Sequence, residues 1–323
     1  MTNVAKIFSE FEEACNRKEL PAVEILIQKI MDLSQEDNSV NIIYSKAVVK
    51  TIETFKDRLS SLKLKKMLTN IEELSNKEPQ NNELIVNFAK ALRYSLIVMS
   101  NKGQPNVMKD LITNLEDLAT KNPGIVSIQE ELSEASYEMV EFWKKRGDFR
   151  ALKNRTTKFR ELAKKFPDNE LIKLNLSKSI VQEIDSSNKR DIKNVDNLIN
   201  EIQLLSESTP TNTGLQLEWV HAYRTALDHS LEEPEDAKRW LESMKKIASN
   251  QKDEVFKIEL AKGYLNAITS LGNQNNEELT KLLDDLELLV DSSKNNIELQ
   301  VIYAQCLILS LRMADVNDFA HLK

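Results

Sequence analysis

The chain has 323 residues, of which 29% are charged and 41% hydrophobic, and its formal net charge is -7 at pH 7. With only 6 glycines and 7 prolines, collagen-like and low-complexity classes are excluded, because both are rich in these residues. The acidic balance argues against non-specific binding to nucleic acid, since phosphate backbones attract basic surfaces. Two cysteines, Cys15 and Cys306, are too few and too far apart for a disulfide framework or a cysteine metal site.

The N-terminal segment and the apolar runs predict where the protein resides. The first residues, MTNVAKIFSEFEEACNRK, carry acidic side chains where a signal peptide has an apolar run. No apolar segment approaches the roughly 20 residues that a membrane-spanning helix needs. We therefore expect a cytoplasmic protein that contacts no membrane.

A large apolar residue followed by a smaller one recurs along the chain at intervals of 41 to 44 residues. An amphipathic helix and a polar turn precede each pair, and a separate opening helix is predicted over about Val4 to Arg17. Such a fixed period is typical of tandem helical repeats. The sequence therefore predicts seven repeats of about 43 residues, each with one pair: Tyr44-Ser45, Phe88-Ala89, Leu132-Ser133, Leu176-Ser177, Trp219-Val220, Leu260-Ala261 and Tyr303-Ala304.

The helix before each turn has its own apolar pattern, with one apolar residue and a leucine or isoleucine three residues later. This spacing predicts a helix that packs along one stripe. The first row is Ile30, Ile71, Leu115, Phe159, Ile202, Met244 and Leu286, and the second is Leu33, Leu74, Leu118, Leu162, Leu205, Ile247 and Leu289. Prolines mark both junctions, because proline suits the first turn of a helix and disfavours helix just before it: Pro21, Pro105 and Pro234 begin helices, whereas Pro79, Pro123, Pro167 and Pro210 lie in turns.

These patterns predict an all-α fold, an α-α superhelix in which about seven helix pairs stack without a central globular core. We expect one continuous array over residues 1–323. Within it, residues 1–38 form an N-terminal capping helix pair, 39–295 the repeats, and 296–323 a C-terminal helix and tail. The last helix is expected over about Asn296 to Met313, followed by a tail too short for another full helix.

The repeat resembles the tetratricopeptide repeat, whose pattern is W-x2-L-G-x2-Y, then A-x3-F, then P. From the turn proline to the small residue of the pair is ten positions in four repeats, as from Pro79 to Ala89. Trp219, Val220 and Tyr223 match the L-G-x2-Y part with the glycine replaced. The period of this chain is longer than that of the family, which is about 34 residues. The small alanine in the second helix of the family's repeat is replaced here by Leu111, Arg155, Leu198, Trp240 and Leu282. The chain is therefore similar to a divergent, long-helix member of that family.

No constellation of residues predicts catalysis, a cofactor or a metal. His221 and His229 are about 12 Å apart along one helix, which is too far for one metal ion. The carboxylates Asp228, Glu232 and Glu233 beside His229 are typical of a solvated helix end rather than an acid-base site. We expect no enzymatic activity.

One row of mostly basic residues follows the small position of the pairs. In tetratricopeptide repeats this position faces the concave groove, so the resemblance implies a basic ladder that binds an acidic or phosphorylated peptide. Glu134 and Gln305 interrupt the row, and the alternative is ordinary solvated charge. The predicted site, to which two arginines three residues further on are added, is Lys46, Lys90, Arg93, Lys178, His221, Arg224 and Lys262.

The sequence thus predicts a non-catalytic scaffold or adaptor that binds a peptide or protein partner in a concave groove. A first alternative is a self-assembling structural subunit that forms homo-oligomers through its C-terminal face, Ile302, Cys306, Leu309 and Leu311. A second is a helical, non-catalytic subunit of a transferase-like complex, resembling the prenyltransferase α chain. The tryptophan and arginine signatures of those repeats are missing here.

Overall fold

The computed structural model describes residues 2–188, 191–228, 234–271 and 276–321. This part of the chain contains no strand, so the predicted all-α fold is confirmed. Its helices are α1 (Thr2–Asn16), α2 (Leu20–Glu36), α3 (Asn41–Thr54), α4 (Ser61–Lys77), α5 (Asn82–Asn101), α6 (Pro105–Lys121), α7 (Val126–Lys145), α8 (Phe149–Lys165), α9 (Glu170–Asp185), α10 (Ile192–Glu207), α11 (Thr213–Leu227), α12 (Pro234–Ser249), α13 (Glu254–Leu271), α14 (Asn276–Asp291) and α15 (Ile297–His321).

The helices belong to two compact units, an N-terminal unit, Met1–Asn175, and a C-terminal unit, Leu176–Lys323, with the boundary inside α9. In each unit the odd-numbered helices, here called A helices, pack on one another: α1 on α3, α3 on α5, α5 on α7, and likewise α11 on α13 and α13 on α15. The even-numbered B helices pack against the A helices before and after them, as α6 does against α5 and α7. Each unit therefore has the sequential packing of a helical repeat, while one continuous array over 1–323 stays a prediction.

The apolar rows predicted from the sequence form the core. The first row of the B helices, from Ile30 to Leu286, is at most 1% exposed in every repeat. The small residues of the A-helix pairs are fully buried from Ser45 to Ala261. Because burying one large apolar side chain contributes about 1.5 to 3 kcal/mol, the first row makes a substantial contribution to stability.

The second row of the B helices is less buried than the sequence predicted. Its leucines are half-buried in five of the seven repeats, and the next residue along the chain is buried instead. A period of 3.6 residues brings positions i and i+4 close together on one face, and a small residue there lets a B helix approach its A helices. That missed row is Ser34, Ser75, Ala119, Ala163, Ser206, Ala248 and Val290.

The turns follow the predicted chemistry. Pro105 and Pro234 are the first residues of α6 and α12, and the four turn prolines lie between B and A helices. Gly103 and Gly147 end α5 and α7 with φ of 64° and 69°, a left-handed conformation that costs glycine little. Lys18 takes up the same conformation after α1, with φ of 57°.

The C-terminal helix differs from its prediction in two ways. First, α15 continues to His321, so the expected end near Met313 was wrong. Second, Ile302 and Cys306 are 5% and 0% exposed, because α15 packs against α13 and α14 on that side. These two residues were therefore wrongly assigned to an exposed C-terminal face, whereas Leu311 is exposed. Across the described residues, no helix has both the length and the apolar character that crossing a membrane requires.

Candidate partner-binding surfaces

In the N-terminal unit the predicted ladder residues lie on α3 and α5. Lys46 pairs with Glu83 across a distance of 2.7 Å between Nζ and Oε1, and both side chains are about half exposed. Arg93 lies between two carboxylates of α7, with Nε 2.5 Å from Glu131 and Nη1 2.8 Å from Glu134. Lys90 is half-buried on α5. Lys46 and Arg93 are thus already paired with acidic residues, and the ion pairs of Arg93 connect α5 to α7.

The environment of Arg93 favours the charged form of its guanidinium. Burial alone would lower the pKa of Arg93, but the carboxylates of Glu131 and Glu134 outweigh it and raise that pKa. Burial raises the pKa of Glu131, although Arg93 opposes the change. The guanidinium also lies 4.2 Å from the centre of the Tyr94 ring. This arrangement stabilises a contact inside the protein and leaves Arg93 little capacity for a ligand.

In the C-terminal unit a similar cluster surrounds Glu259, a buried residue of α13. Its carboxylate is 2.8 Å from Nε of Arg224, 3.0 Å from Nζ of Lys262 and 3.4 Å from Nε2 of His221. Lys262 also pairs with Glu298 of α15 at 3.1 Å. Three predicted ladder residues therefore converge on one acid and link successive A helices.

Two predicted features complete this inventory. Lys178 is half-buried on α9. His229, with Glu232 and Glu233, lies outside the described residues, so the pair with His221 has no structural account. Within the residues that are described, no group of three or more His, Cys, Asp or Glu side chains is placed to hold a metal ion.

Three of the carboxylate partners lie in a row that the sequence analysis missed. This row is two positions before the small residue of each pair, and it holds Glu131, Glu218 and Glu259. In two other repeats it holds asparagine: Asn87 donates to Ser45 at 2.8 Å, and Asn175 donates to Ser133 at 3.1 Å. The row was visible in the sequence as Glu or Asn in five of the seven repeats. Its side chains link A helices, so this face is structural to a large extent.

The gaps between successive B helices are the second class of surface. Ion pairs bridge four of the gaps that lie within one unit. Lys63 of α4 pairs with Glu24 of α2. Arg239 of α12 is 2.9 Å from Asp196 of α10, and Lys245 of α12 is 2.7 Å from Asp285 of α14.

The fourth bridged gap lies between α6 and α8, above a cavity of about 360 Å³. Arg155 of α8 donates to Glu116 of α6 at 2.5 Å and to Oγ of Ser136 at 2.6 Å. Lys158, one turn further along α8, is 3.2 Å from the same carboxylate. Burial lowers the pKa of Arg155, and the Glu116 carboxylate opposes this change. A network of charges therefore bridges this gap.

The gap between α4 and α6 has the same architecture but no bridge. Both helices are fully described, and no ion pair joins them. Two adjoining cavities of about 360 and 300 Å³ lie along this gap and share Glu72, Phe88 and Asn114. We call this gap the α4/α6 groove; its apolar lining is Leu64, Leu68, Phe88, Leu92, Met99, Val107 and Leu111, with Ile85 and Leu118 at the far end.

Side chains one repeat apart explain why one gap is bridged and the other is not. Counting 44 residues back from Arg155, Lys158 and Glu116 gives Leu111, Asn114 and Glu72. The buried arginine is thus replaced by a leucine, and the bridging lysine by a shorter amide. Glu72 remains but has no cation opposite it, so no charged bridge spans the α4/α6 groove.

The groove has the dimensions of a helix-binding site. Because α4 has 17 residues, the groove is about 25 Å long at 1.5 Å per residue. Its combined cavities lie in the range of roughly 300 to 1,000 Å³ that is usual for binding pockets. No family model and no curated protein matched this sequence.

Proposed function

We propose that this protein is a non-catalytic, tetratricopeptide-like scaffold that binds the apolar face of an amphipathic helix in the α4/α6 groove. The observation that supports the proposal is that no ion pair joins the two described helices across this apolar-lined groove, whereas Arg155, Lys158 and Glu116 bridge the neighbouring gap. A helix in a groove is a common mode of peptide recognition, with anchors at i, i+3 or i+4, and i+7. The cytoplasmic location and the absence of nucleic-acid partners belong to the same proposal and rest on the sequence.

The groove is favoured over the basic ladder because of what binding would cost at each surface. A peptide carboxylate at Arg93 would have to displace Glu131 or Glu134, which are already paired with that guanidinium. At the groove, a partner covers apolar side chains and displaces only water. Burial of apolar area at about 25 cal/mol per Å² therefore favours association directly.

The rims of the groove carry charges of both signs. The α4 rim exposes Lys65 and Glu72, and the α6 rim exposes Asp110, Asp117 and Lys121. A partner helix with charges of opposite sign along its flanks can pair with these residues. Charge complementarity of this kind contributes to specificity more than to affinity.

The proposal is tested by selecting displayed amphipathic helices against the full chain and measuring binding of the best peptide by fluorescence anisotropy. Val107, 38% exposed in the groove lining, is changed to glutamate; the matched control is Leu62→Glu, since Leu62 is 79% exposed on α4 outside the lining. We expect Val107→Glu to weaken binding by about tenfold or more, because it places a charge in an apolar contact. Leu62→Glu is expected to bind like the wild type.

The same peptide distinguishes the groove from the basic ladder. Lys90→Glu reverses a ladder charge at a residue that does not line the groove, so the groove proposal predicts unchanged binding. If Lys90→Glu abolishes binding and Val107→Glu does not, the ladder holds the partner and the groove proposal is wrong. If no helical peptide is retained above background, the groove is not a binding site for helices.

A further inference from the structure

The A helices share two rows on the side that faces the following A helix. The small residues of the pairs form the first row, and the hydrogen bond from Asn87 to Ser45 shows that this side meets the next repeat. The second row lies seven residues further along each A helix. In six repeats its residues are at most 1% exposed, but Leu311 in α15 is 66% exposed; the other members are Ile52, Leu96, Val140, Ile184, Leu227 and Ile268.

On α15 the uncovered side forms a continuous apolar stripe. Its residues are separated alternately by four and three positions, the spacing of a coiled-coil seam, over about 21 Å of helix. We call it the α15 stripe: Ile297, Val301, Ala304, Ile308 and Leu311. The four large residues are between 50% and 76% exposed, and Ala304 is exposed as well. Soluble proteins rarely leave such a contiguous stripe uncovered.

The first A helix offers this stripe no apolar counterpart. The residues exposed on α1 are mainly polar and include Lys6, Glu10 and Glu13. Pressing the α15 stripe against α1 of another molecule would bury these charges at a cost. The surface that fits the stripe best among those described is therefore the stripe itself.

We propose that α15 binds α15 of a second copy of this chain as an antiparallel, two-fold symmetric helix pair. With the axis near residue 306, Val301 lies opposite Leu311 of the second copy, and Ala304 lies opposite Ile308. Each layer thus joins a smaller side chain to a larger one, which fills the seam. In a parallel pair, Ala304 would face Ala304 and leave a gap.

Charges beside the stripe support the antiparallel direction. Glu298 and Arg312 flank the stripe on the same edge, 14 residues apart, and both are exposed; Glu298 also pairs with Lys262 of its own chain at 3.1 Å. In the antiparallel pair Glu298 lies within about two residues, roughly 3 Å along the axis, of the level of Arg312 of the second copy, so two opposite-charge contacts form about the axis. In a parallel pair equivalent residues lie level, so Glu298 would not lie near Arg312. Residues that flank a helix seam are known to set partner orientation in this way.

The test begins with sedimentation equilibrium of the full chain from about 1 to 100 µM, the range suited to weak, small interfaces. The mass is expected to rise from 37.1 kDa towards twice that value. Ile308→Glu is expected to remain monomeric throughout, because it buries a charge in the seam. A wild-type chain that remains monomeric, or an Ile308→Glu chain that dimerises like the wild type, would overturn the proposal.

Leu288→Glu is the matched control. Leu288 is 70% exposed on α14, and the equivalent positions in four other repeats already hold Asp32, Glu73, Asp117 and Glu161. This variant is expected to dimerise like the wild type. Circular dichroism of every variant verifies that the helices are intact, so a folding defect is separated from a lost interface. Loss of the dimer in Leu288→Glu as well would refute the assignment to the α15 stripe.

Charge reversal tests the direction of the pair. Glu298→Arg alone and Arg312→Glu alone each place like charges together in the homodimer, and each is expected to weaken it by about tenfold. Mixing the two variants restores both opposite-charge contacts, so a heterodimer with near wild-type affinity is expected. A mixture that associates no better than either variant alone would rule out the antiparallel arrangement.

Discussion

The α6/α8 gap and the α4/α6 groove are the same structural element one repeat apart, yet only the first is bridged by ion pairs. In the bridged gap, Arg155 and Lys158 reach Glu116 across the space between the helices. In the unbridged one, Leu111 and Asn114 occupy the equivalent positions and Glu72 has no cation opposite it. The difference teaches that two side chains decide whether a charged bridge spans such a gap, with the backbone architecture retained.

A bridged gap and an unbridged gap each have a cost in folding free energy. In the bridged gap Arg155 is only 8% exposed, so its guanidinium loses contact with water, and hydrogen bonds to Glu116 and Ser136 compensate for this loss. Leaving a gap open exposes apolar side chains, such as Val107, to solvent. An open groove is therefore retained at some cost in folding free energy unless a partner covers it.

Removing the bridge is expected to have the largest effect on stability. Arg155→Ala leaves a void and removes the main cation from Glu116, so we expect a loss of about 3 kcal/mol in the free energy of unfolding. Urea denaturation followed by circular dichroism measures it. Arg155→Leu, which copies Leu111, fills the void and should recover most of that loss. An alanine variant within about 0.5 kcal/mol of the wild type would contradict the structural role of this bridge.

Two ion pairs between A helices, one buried and one exposed, allow a second comparison of how much a bridge stabilises the fold. Arg93 and Glu131 have side chains only 14% and 12% exposed, whereas Lys46 and Glu83 are 49% and 51% exposed. We expect Arg93→Ala to cost about 2 kcal/mol, because Glu131 and Glu134 then face each other without a cation. Lys46→Ala should cost less than about 0.5 kcal/mol. Equal losses for the two variants in urea denaturation would argue against this ranking.

The smallest effect concerns a carboxylate of the same cluster. Burial, together with the neighbouring Glu141, raises the pKa of Glu138 above its ordinary value. Its charged form therefore destabilises the folded state at neutral pH, and Glu138→Gln should gain about 0.5 kcal/mol at pH 7. That gain should fade as the pH falls through the raised pKa, because the wild-type carboxyl then becomes neutral too. Thermal melts of both proteins at pH 7 and pH 4.5 measure this; a gain that grows on acidification would contradict the sign.

Much of the fold could be predicted from the sequence because each repeat restates the same pattern. The buried row from Ile30 to Leu286 and the turn prolines were placed correctly from spacing alone. The rotation of a helix about its own axis, which decides which side is buried, was harder to predict. Ile302 and Cys306 were assigned to the exposed side of α15 but are buried. In earlier repeats the next A helix covers the equivalents of Leu311, such as Leu96, so Leu311 marks the uncovered side of α15.

The candidate site was harder to predict, since it depends on partners about one repeat away. Arg93 looks available in the sequence, but Glu131 lies 38 residues further on and becomes its neighbour only through the packing of α5 on α7. The open groove depends on what is missing opposite Glu72. Aligning the repeats would have shown Asn114 where Lys158 stands, but only the structure shows that this position spans a gap.

The central claim is that the α4/α6 groove binds a helix because no bridge closes it. Asn114→Lys grafts the cation of the α6/α8 gap opposite Glu72, at an exposed position where stability should change by less than about 0.5 kcal/mol. Anisotropy titrations of a selected helical peptide should show binding weakened by about tenfold or more relative to the wild type, with the helical content unchanged. Wild-type affinity in the folded Asn114→Lys protein would contradict the account.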